Sequence, residues 1–334
     1  MIDKPFKSID EQISILKNDR NLLIRDLEAA KSHLIRYGYY EIINGYKDHF
    51  LIDPTDDNKG YKNDADFEHI YSLFLLDNSF RTIILSGLEE FESTFKQSLA
   101  YAISLKISEN QHNYLAISHY NRGKTYHFRR HGRLIDTNDR NNLLHKLNKV
   151  IDSDIEPFKH YREEHGNVPP WIIVKGLSFG QTIYLFSLSK PEVRNYVIAR
   201  MLKMITDESL VNTLEADFKI KQGFGDLLDL YLDYRNLTAH GRRVYNHQSR
   251  KHALRPNSKL IYREPIISKK PSNRHNLKYR SSVGVLIQSL KLFSNSDPYN
   301  HIKAGVLQLL GTHCRAYPQD MDFLKSTMEL DLLE

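Results

Sequence analysis

Arg235 and His240 lie five positions apart in the run Tyr234-Arg235-Asn236-Leu237-Thr238-Ala239-His240-Gly241-Arg242, and they are the pair best suited to chemistry on a phosphodiester. A His side chain ordinarily titrates near about 6.5 and so moves protons at neutral pH, while a guanidinium neutralises charge building on a pentacoordinate phosphate. With the 2′-hydroxyl of RNA as nucleophile, such a pair needs no metal and leaves a cyclic phosphate and a 5′-hydroxyl. Spacing alone does not select it, because Arg122 with His127, Arg140 with His145, and Arg242 with His247 repeat the pattern. Arg140-His145 ranks second: Asn141 also follows its Arg, but the pair falls early in a helical stretch rather than at an end beside a basic strip. On an ideal helix Arg235 and His240 point about 140° apart. Convergence therefore needs Gly241 to unwind the helix end and the long Arg stem to reach round. The structural alternative is a His closing a helix C-terminus, where its cation favours the dipole, with Arg235 paired to an acid such as Asp233.

The elements that must hold these residues read as helices. Ser8 and Glu11 have capping-box spacing, with Ile9, Ile13 and Leu16 at helical intervals behind them. A second helix runs from Asp26 to Tyr37 and stops at Gly38, and the acidic loop from Asp53 to Asp66 is the first boundary. Two amphipathic stretches, about 67–85 and 88–105, read as an antiparallel pair, with Ile70, Leu73, Phe74 and Leu76 on a broad buried stripe. A loop follows over about 119–136, then a helix over about 138–164 that ends before Gly166 and Pro169-Pro170, and shorter helical patterns over 171–218. Phe224, Leu227, Leu228, Leu230, Tyr231, Tyr234 and Leu237 make the next helix apolar around much of its circumference, hence central. Two last helical patterns cover about 281–293 and 299–313. Strand-like alternation is scarce and no repeat is present, so the fold class is all-α.

Charge sets the partner class. From Arg242 to Arg280 there are twelve Lys and Arg against one acid, Glu264; this +11 leaves −5 for the rest of a chain whose net charge is +6. A basic strip on an acidic body repels itself unless a polyanion neutralises it, which favours nucleic acid over the plainer reading of a solvated loop. Arg242, Arg243, Arg250, Lys251, Arg255, Lys259, Lys269 and Lys270 are the candidate contacts there. In the 119–136 loop, Arg129, Arg130 and Arg133 interleave with Tyr126 and Phe128, which suits phosphate contact plus base stacking as well as a plain solvated turn. The single Cys314 excludes a disulfide framework and a Cys-rich zinc site and suits a reducing compartment. With no leader-like apolar stretch and no run near the ~20 residues of a membrane helix, the expectation is a cytoplasmic protein with no membrane partner.

Three further patterns carry less. Arg122-Gly123-Lys124-Thr125 has the tail of a phosphate-binding loop, but Ser118 stands where the first Gly belongs. His127 and His131 have helical metal-ligand spacing, yet arginines surround them and no carboxylate or Cys joins them, so no metal is expected. Glu89, Glu90 and Glu92 share one helix, where adjacent acids are ordinarily solvated.

Several blocks in order resemble the Abi-like family that includes AbiD and AbiF, abortive-infection proteins with HEPN ribonuclease domains. They are Lys4-Pro5-Phe6 with Glu11-Gln12; Tyr39-Tyr40 with Gly45-Tyr46 and Phe50; Phe67 through Leu76-Asp77 with Phe80-Arg81, Glu89 and Glu92; Pro170-Trp171 with Leu177-Ser178-Phe179-Gly180; and Arg235 through Arg242 with Tyr245-Asn246. The resemblance implies a HEPN-like helical bundle with helical extensions at both ends: an N-terminal unit over 1–64, a core over 65–246, the basic loop over 247–280 and a C-terminal extension over 281–334. It implies Arg235 and His240 as catalytic, Asn236 as their polar partner and Glu92 as a supporting residue on the facing helix. It further implies a metal-independent endoribonuclease toxin of phage defence, a homodimer that pairs two Arg-His motifs, no small-molecule cofactor, and RNA as substrate and as a resident noncoding partner. The alternative is a module that holds structured RNA without cutting it. Gly241 stands where the family commonly has a second His.

Overall fold

The computed structural model describes residues 5–130, 133–202, 218–272 and 275–333. Among these residues the chain is all-α apart from one small β-hairpin. Helix α1 (Ile9–Ser14) starts on the expected capping box, Ser8 and Glu11 each satisfying the other's backbone N–H. Helix α2 (Leu27–Tyr37) is capped by Asp26 and ends at Gly38, whose φ of 85° favours glycine.

The two helices expected over 67–85 and 88–105 are one: α3 runs unbroken from Phe67 to Lys106, 40 residues. Gly87 is no stop signal. It sits inside the helix, where an added Cβ would run into the Ile302 side chain, so its role is close packing. Conversely, the helix expected over 138–164 is two, α4 (Asp139–Ile151) and α5 (Phe158–His165). Pro157, which lacks a backbone N–H and clashes with the preceding turn, cannot lie inside a helix and precedes the first residue of α5.

The stretch read as a loop holds the hairpin: β1 (Thr125–Arg130) pairs antiparallel with β2 (Arg133–Asn138), Phe128 opposite Ile135 and Arg130 opposite Arg133. Period two puts Tyr126 and Phe128 on one face and His127 and Arg129 on the other. Helices α6 (Phe179–Leu188) and α7 (Pro191–Met201) follow; the helical patterns expected over 203–217 lie outside the described residues. Then come α8 (Phe218–Ala239), α9 (Val283–Ser289), α10 (Asp297–Ala316) and α11 (Asp320–Met328).

Contacts divide the chain into two units. The first comprises Met1–Ile83, Leu237–His247 and Ala304–Met328; the second comprises Ile84–Asn236, Gln248–Lys303 and Glu329–Glu334. In the second, α8 is central as its composition requires: Phe224, Leu227, Leu228, Leu230, Tyr231 and Tyr234 are fully buried. Phe91 meets Tyr231 edge-on at 4.9 Å and Phe293 at 4.8 Å, and Phe95 meets Phe186 at 5.5 Å, so aromatic contacts tie α3 and α6 into this core. In the first, Tyr46 packs on Phe74 and Tyr245.

The 247–280 strip has no helix or strand among its described residues, as its prolines require, yet it is not a freely solvated loop: Leu254, Ile261, Tyr262 and Ile267 are buried. No described helix is long and apolar enough to cross a membrane.

Candidate active site and nucleic-acid surface

Two buried tyrosines fix the end of α8. The Tyr231 hydroxyl meets Ser289 Oγ at 2.9 Å, and the Tyr234 hydroxyl donates to the Ser281 carbonyl at 2.7 Å. The next residue, Arg235, is partly exposed. Its Nε lies 3.7 Å from Glu92 Oε2, and Glu92, largely buried on α3, also takes Lys96 Nζ at 2.7 Å. Glu92 is thus a carboxylate shared by two cations. Arg235 lines an open pocket of about 480 Å³ together with Glu89, Glu92, Lys96, Gln97 and Lys175. Such a lining suits a phosphate with polar neighbours. Lys96 and Lys175 were not singled out from the sequence, although Lys96 has the i+4 spacing of a Glu–Lys helix pair with Glu92. Asn236 is exposed.

Beyond Ala239 the chain turns out of the helix. The Arg242 N–H donates to the Leu237 carbonyl at 3.0 Å and the Gly241 N–H to the Thr238 carbonyl at 3.2 Å. Gly241 takes φ +70°. This is a Schellman motif with His240 as the C-cap residue, and Gly is favoured at the next position because that residue must be left-handed. His240 is exposed, its side chain directed by a helix end rather than enclosed by a core.

What locks the tail is Asp77, fully buried on α3. It accepts the Tyr46 hydroxyl at 2.7 Å, the Tyr245 N–H at 2.8 Å and the Val244 N–H at 3.0 Å, with Arg81 at 3.4 Å. Burial pushes its carboxyl above the usual range, opposed by these hydrogen bonds and by Arg81. Arg243 donates to the Gly45 carbonyl. The Gly45-Tyr46, Asp77, Arg81 and Tyr245 blocks therefore converge on one carboxylate.

The competing motifs fare differently. Arg140 and His145 lie within the first half of α4, His145 exposed and away from any helix end. Arg122-Gly123-Lys124-Thr125 leads into a strand rather than a helix. Its would-be anion position is held by Asp139, which accepts the Lys124 N–H at 2.6 Å and the Tyr126 and Tyr184 hydroxyls at 2.8 and 2.7 Å. These hydrogen bonds outweigh desolvation and hold the Asp139 carboxyl below its usual range. His127 Nδ1 lies 2.6 Å from Asp136 Oδ1 across the hairpin, and His131 lies outside the described residues.

Of the cations assigned to RNA, Arg242, Arg250, Lys251, Lys259 and Lys270 are exposed, whereas Arg243, Arg255 and Lys269, also exposed, have partners within the chain, as does Arg280, which is not one of them. Arg255 lies 3.6 Å from Asp226, Lys269 pairs with Asp331, and the buried Arg280 donates to the Leu254 carbonyl at 2.7 Å. Lys259 and Arg263 line a pocket of about 310 Å³ with Lys219, a concentration of positive charge fitted to an anion. On the hairpin, Tyr126 and Phe128 are 41% and 46% exposed, and Arg129 is exposed on the other face. Of Arg130 and Arg133 only the backbone pairing is described.

Compared with known proteins, residues 32–246 match the family model described as Abi-like protein. No curated protein and no solved structure matches the chain.

Proposed function

The chain belongs to the Abi-like family, a link to abortive infection, and from that premise we propose that it is an endoribonuclease that cuts RNA during phage infection and thereby halts growth. The core over 65–246 acts as a HEPN-type domain. In the reaction the 2′-oxygen attacks the adjacent phosphorus and the bond to the 5′-oxygen breaks, leaving a 2′,3′-cyclic phosphate and a 5′-hydroxyl. His240 moves a proton at the 2′- or 5′-oxygen, and Arg235 balances the charge on the pentacoordinate phosphate. Asn236 supplies a polar contact and Glu92 is a positioning residue that holds the Arg235 head. Because one His performs one proton transfer at a time, two copies of the chain supply acid and base in a homodimer, with RNA as the polyanionic partner.

The observation that carries the reading is Arg235 on a polar, lysine-bearing pocket at the anchored end of α8, with the exposed His240 as that helix's C-cap. A second reading is that the chain holds a structured RNA without cutting it. The pocket of Lys219, Lys259 and Arg263 and the exposed hairpin aromatics favour it, since they would suit backbone and bases without calling on His240.

The test is His240→Ala beside His145→Ala, each assayed for RNA cleavage and for arrest of growth. Loss of both activities in His240→Ala alone, with folding unchanged, is expected. Equal activity of His240→Ala and wild type removes His240 from the mechanism, and loss in His145→Ala alone moves the site to α4.

A further inference from the structure

Three residues from three helices meet in the first unit. His69 lies on α3, His313 near the end of α10, and Asp320 opens α11. All are buried, at 4%, 7% and 0% exposure. Both imidazoles point their Nε2 at the same carboxylate oxygen, Asp320 Oδ2, at 2.7 Å each, and the three ligand atoms lie within 4.8 Å of one another. The far nitrogen of His313, Nδ1, sits 3.1 Å from Ser72 Oγ. The His69 ring is stacked on Tyr317 at 3.9 Å. The Ser72 hydroxyl is an outer contact of the kind that fixes a metal-ligating imidazole's tautomer, and the Tyr317 stack sets the aim of the other ring.

From this we infer that His69, His313 and Asp320 form a site for a divalent transition-metal ion, zinc by ligand chemistry, that fastens α10 and α11 to α3. Two imidazole nitrogens and one carboxylate oxygen are a common zinc donor set, and no thiolate is among them. At bond lengths of about 2.0–2.2 Å a tetrahedral ion separates its ligand atoms by about 3.3 Å, so each N–O edge opens by about 0.6 Å on binding.

A network without an ion would satisfy Asp320 Oδ2 and the imidazoles, but it leaves Asp320 Oδ1 buried and without a hydrogen-bond partner. A carboxylate oxygen without a hydrogen bond is costly in an interior, and a cation beside it lowers that cost. His49, its Nε2 3.7 Å from Oδ1 and its ring stacked on Phe323 at 3.7 Å, flanks the carboxylate but is not within ligand distance of all three residues. His69 falls within residues 32–246 and His313 and Asp320 beyond them, so the site would tie the C-terminal helices to the part matching the family model.

The experiment uses the full chain, purified without a polyhistidine tag. Elemental analysis should find about one zinc per chain. After chelator treatment, added Co²⁺ should restore a one-to-one complex with the intense visible absorption of tetrahedral coordination. His313→Gln should abolish that complex, and Ser72→Ala, which leaves all three ligands in place, should weaken it by about 10–100-fold. Wild-type protein without stoichiometric zinc that also yields no such cobalt spectrum overturns the inference. So does full cobalt uptake by His313→Gln. If that variant does not fold, the wild-type spectrum and the Ser72→Ala affinity decide the matter, and an unchanged affinity in Ser72→Ala counts against the site.

Discussion

Replacing Asp77 by Ala should do more damage than any single change at the exposed residues of the candidate site. The carboxylate accepts from Tyr46, Val244 and Tyr245 and pairs with Arg81, all in a position without solvent exposure. Truncation leaves a hydroxyl and two backbone N–H groups buried without an acceptor, at about 1–3 kcal/mol each. Relief of the buried charge, which burial already disfavours, offsets part of this, for a net loss of about 3–5 kcal/mol. A domain is stable by only about 5–15 kcal/mol, so the loss should be plain in urea unfolding followed by circular dichroism. Tyr46→Phe removes one donor and keeps the carboxylate's other contacts, so it should cost only about 1 kcal/mol. Because Asp77 holds the backbone immediately after Arg242 and Arg243, tryptic cleavage at those arginines should rise in Asp77→Ala under native conditions. A Asp77→Ala protein within about 1 kcal/mol of wild type, or a Tyr46→Phe protein equally damaged, would refute the account of how the helix end is held.

Asp139 should confer acid sensitivity on the hairpin anchor. Its carboxyl is held below the usual range when folded, so the unfolded chain binds the proton more readily, and the stabilisation is present above pH ~4 and lost as pH falls further. The stability gap between wild type and Asp139→Asn should therefore shrink on acidification below pH ~4; a gap constant with pH would contradict this. Neutralising Arg250, Lys251, Lys259 and Lys270 together should lower RNA affinity and flatten the dependence of log K on log salt by about 0.7 per lost single-strand phosphate contact. Neutralising Arg255 and Lys269, already paired with Asp226 and Asp331, should change the salt slope less. Equal effects of the two sets would show that these pairings do not govern RNA contact.

The helical class, the central helix and its end were legible because they rest on local signals: the apolar circumference of α8, the Gly that follows its end, and the capping box at Ser8. Pro157 was an equally local signal and marks the break between α4 and α5 that the periodic pattern on either side conceals. Gly87 misleads in the opposite sense, since its reason for being Gly is a neighbour, Ile302, more than 200 positions along the chain. The hairpin was hidden because its aromatic and basic residues read as well for a loop as for a strand exposed on its faces. At the candidate site the sequence supplied Arg235, Asn236, His240 and Glu92, but not the carboxylate that holds the tail. Asp77 carries no local signal that it holds the tail, and only the fold brings Tyr46 and Tyr245 to it. Charge counting likewise located the strip without distinguishing Lys270, exposed, from Arg280, buried on a carbonyl.

The central claim is that Arg235 and His240 perform transesterification on RNA, and the chemistry of the product ends tests it most directly. Purified protein should be incubated with a defined single-stranded RNA and the fragments analysed by mass spectrometry. The account predicts fragments ending in 2′,3′-cyclic phosphate, each followed by a 5′-hydroxyl, formed by the wild type and absent with Arg235→Ala or His240→Ala. Fragments with 5′-phosphate and 3′-hydroxyl ends, or cleavage persisting in both variants, would contradict it.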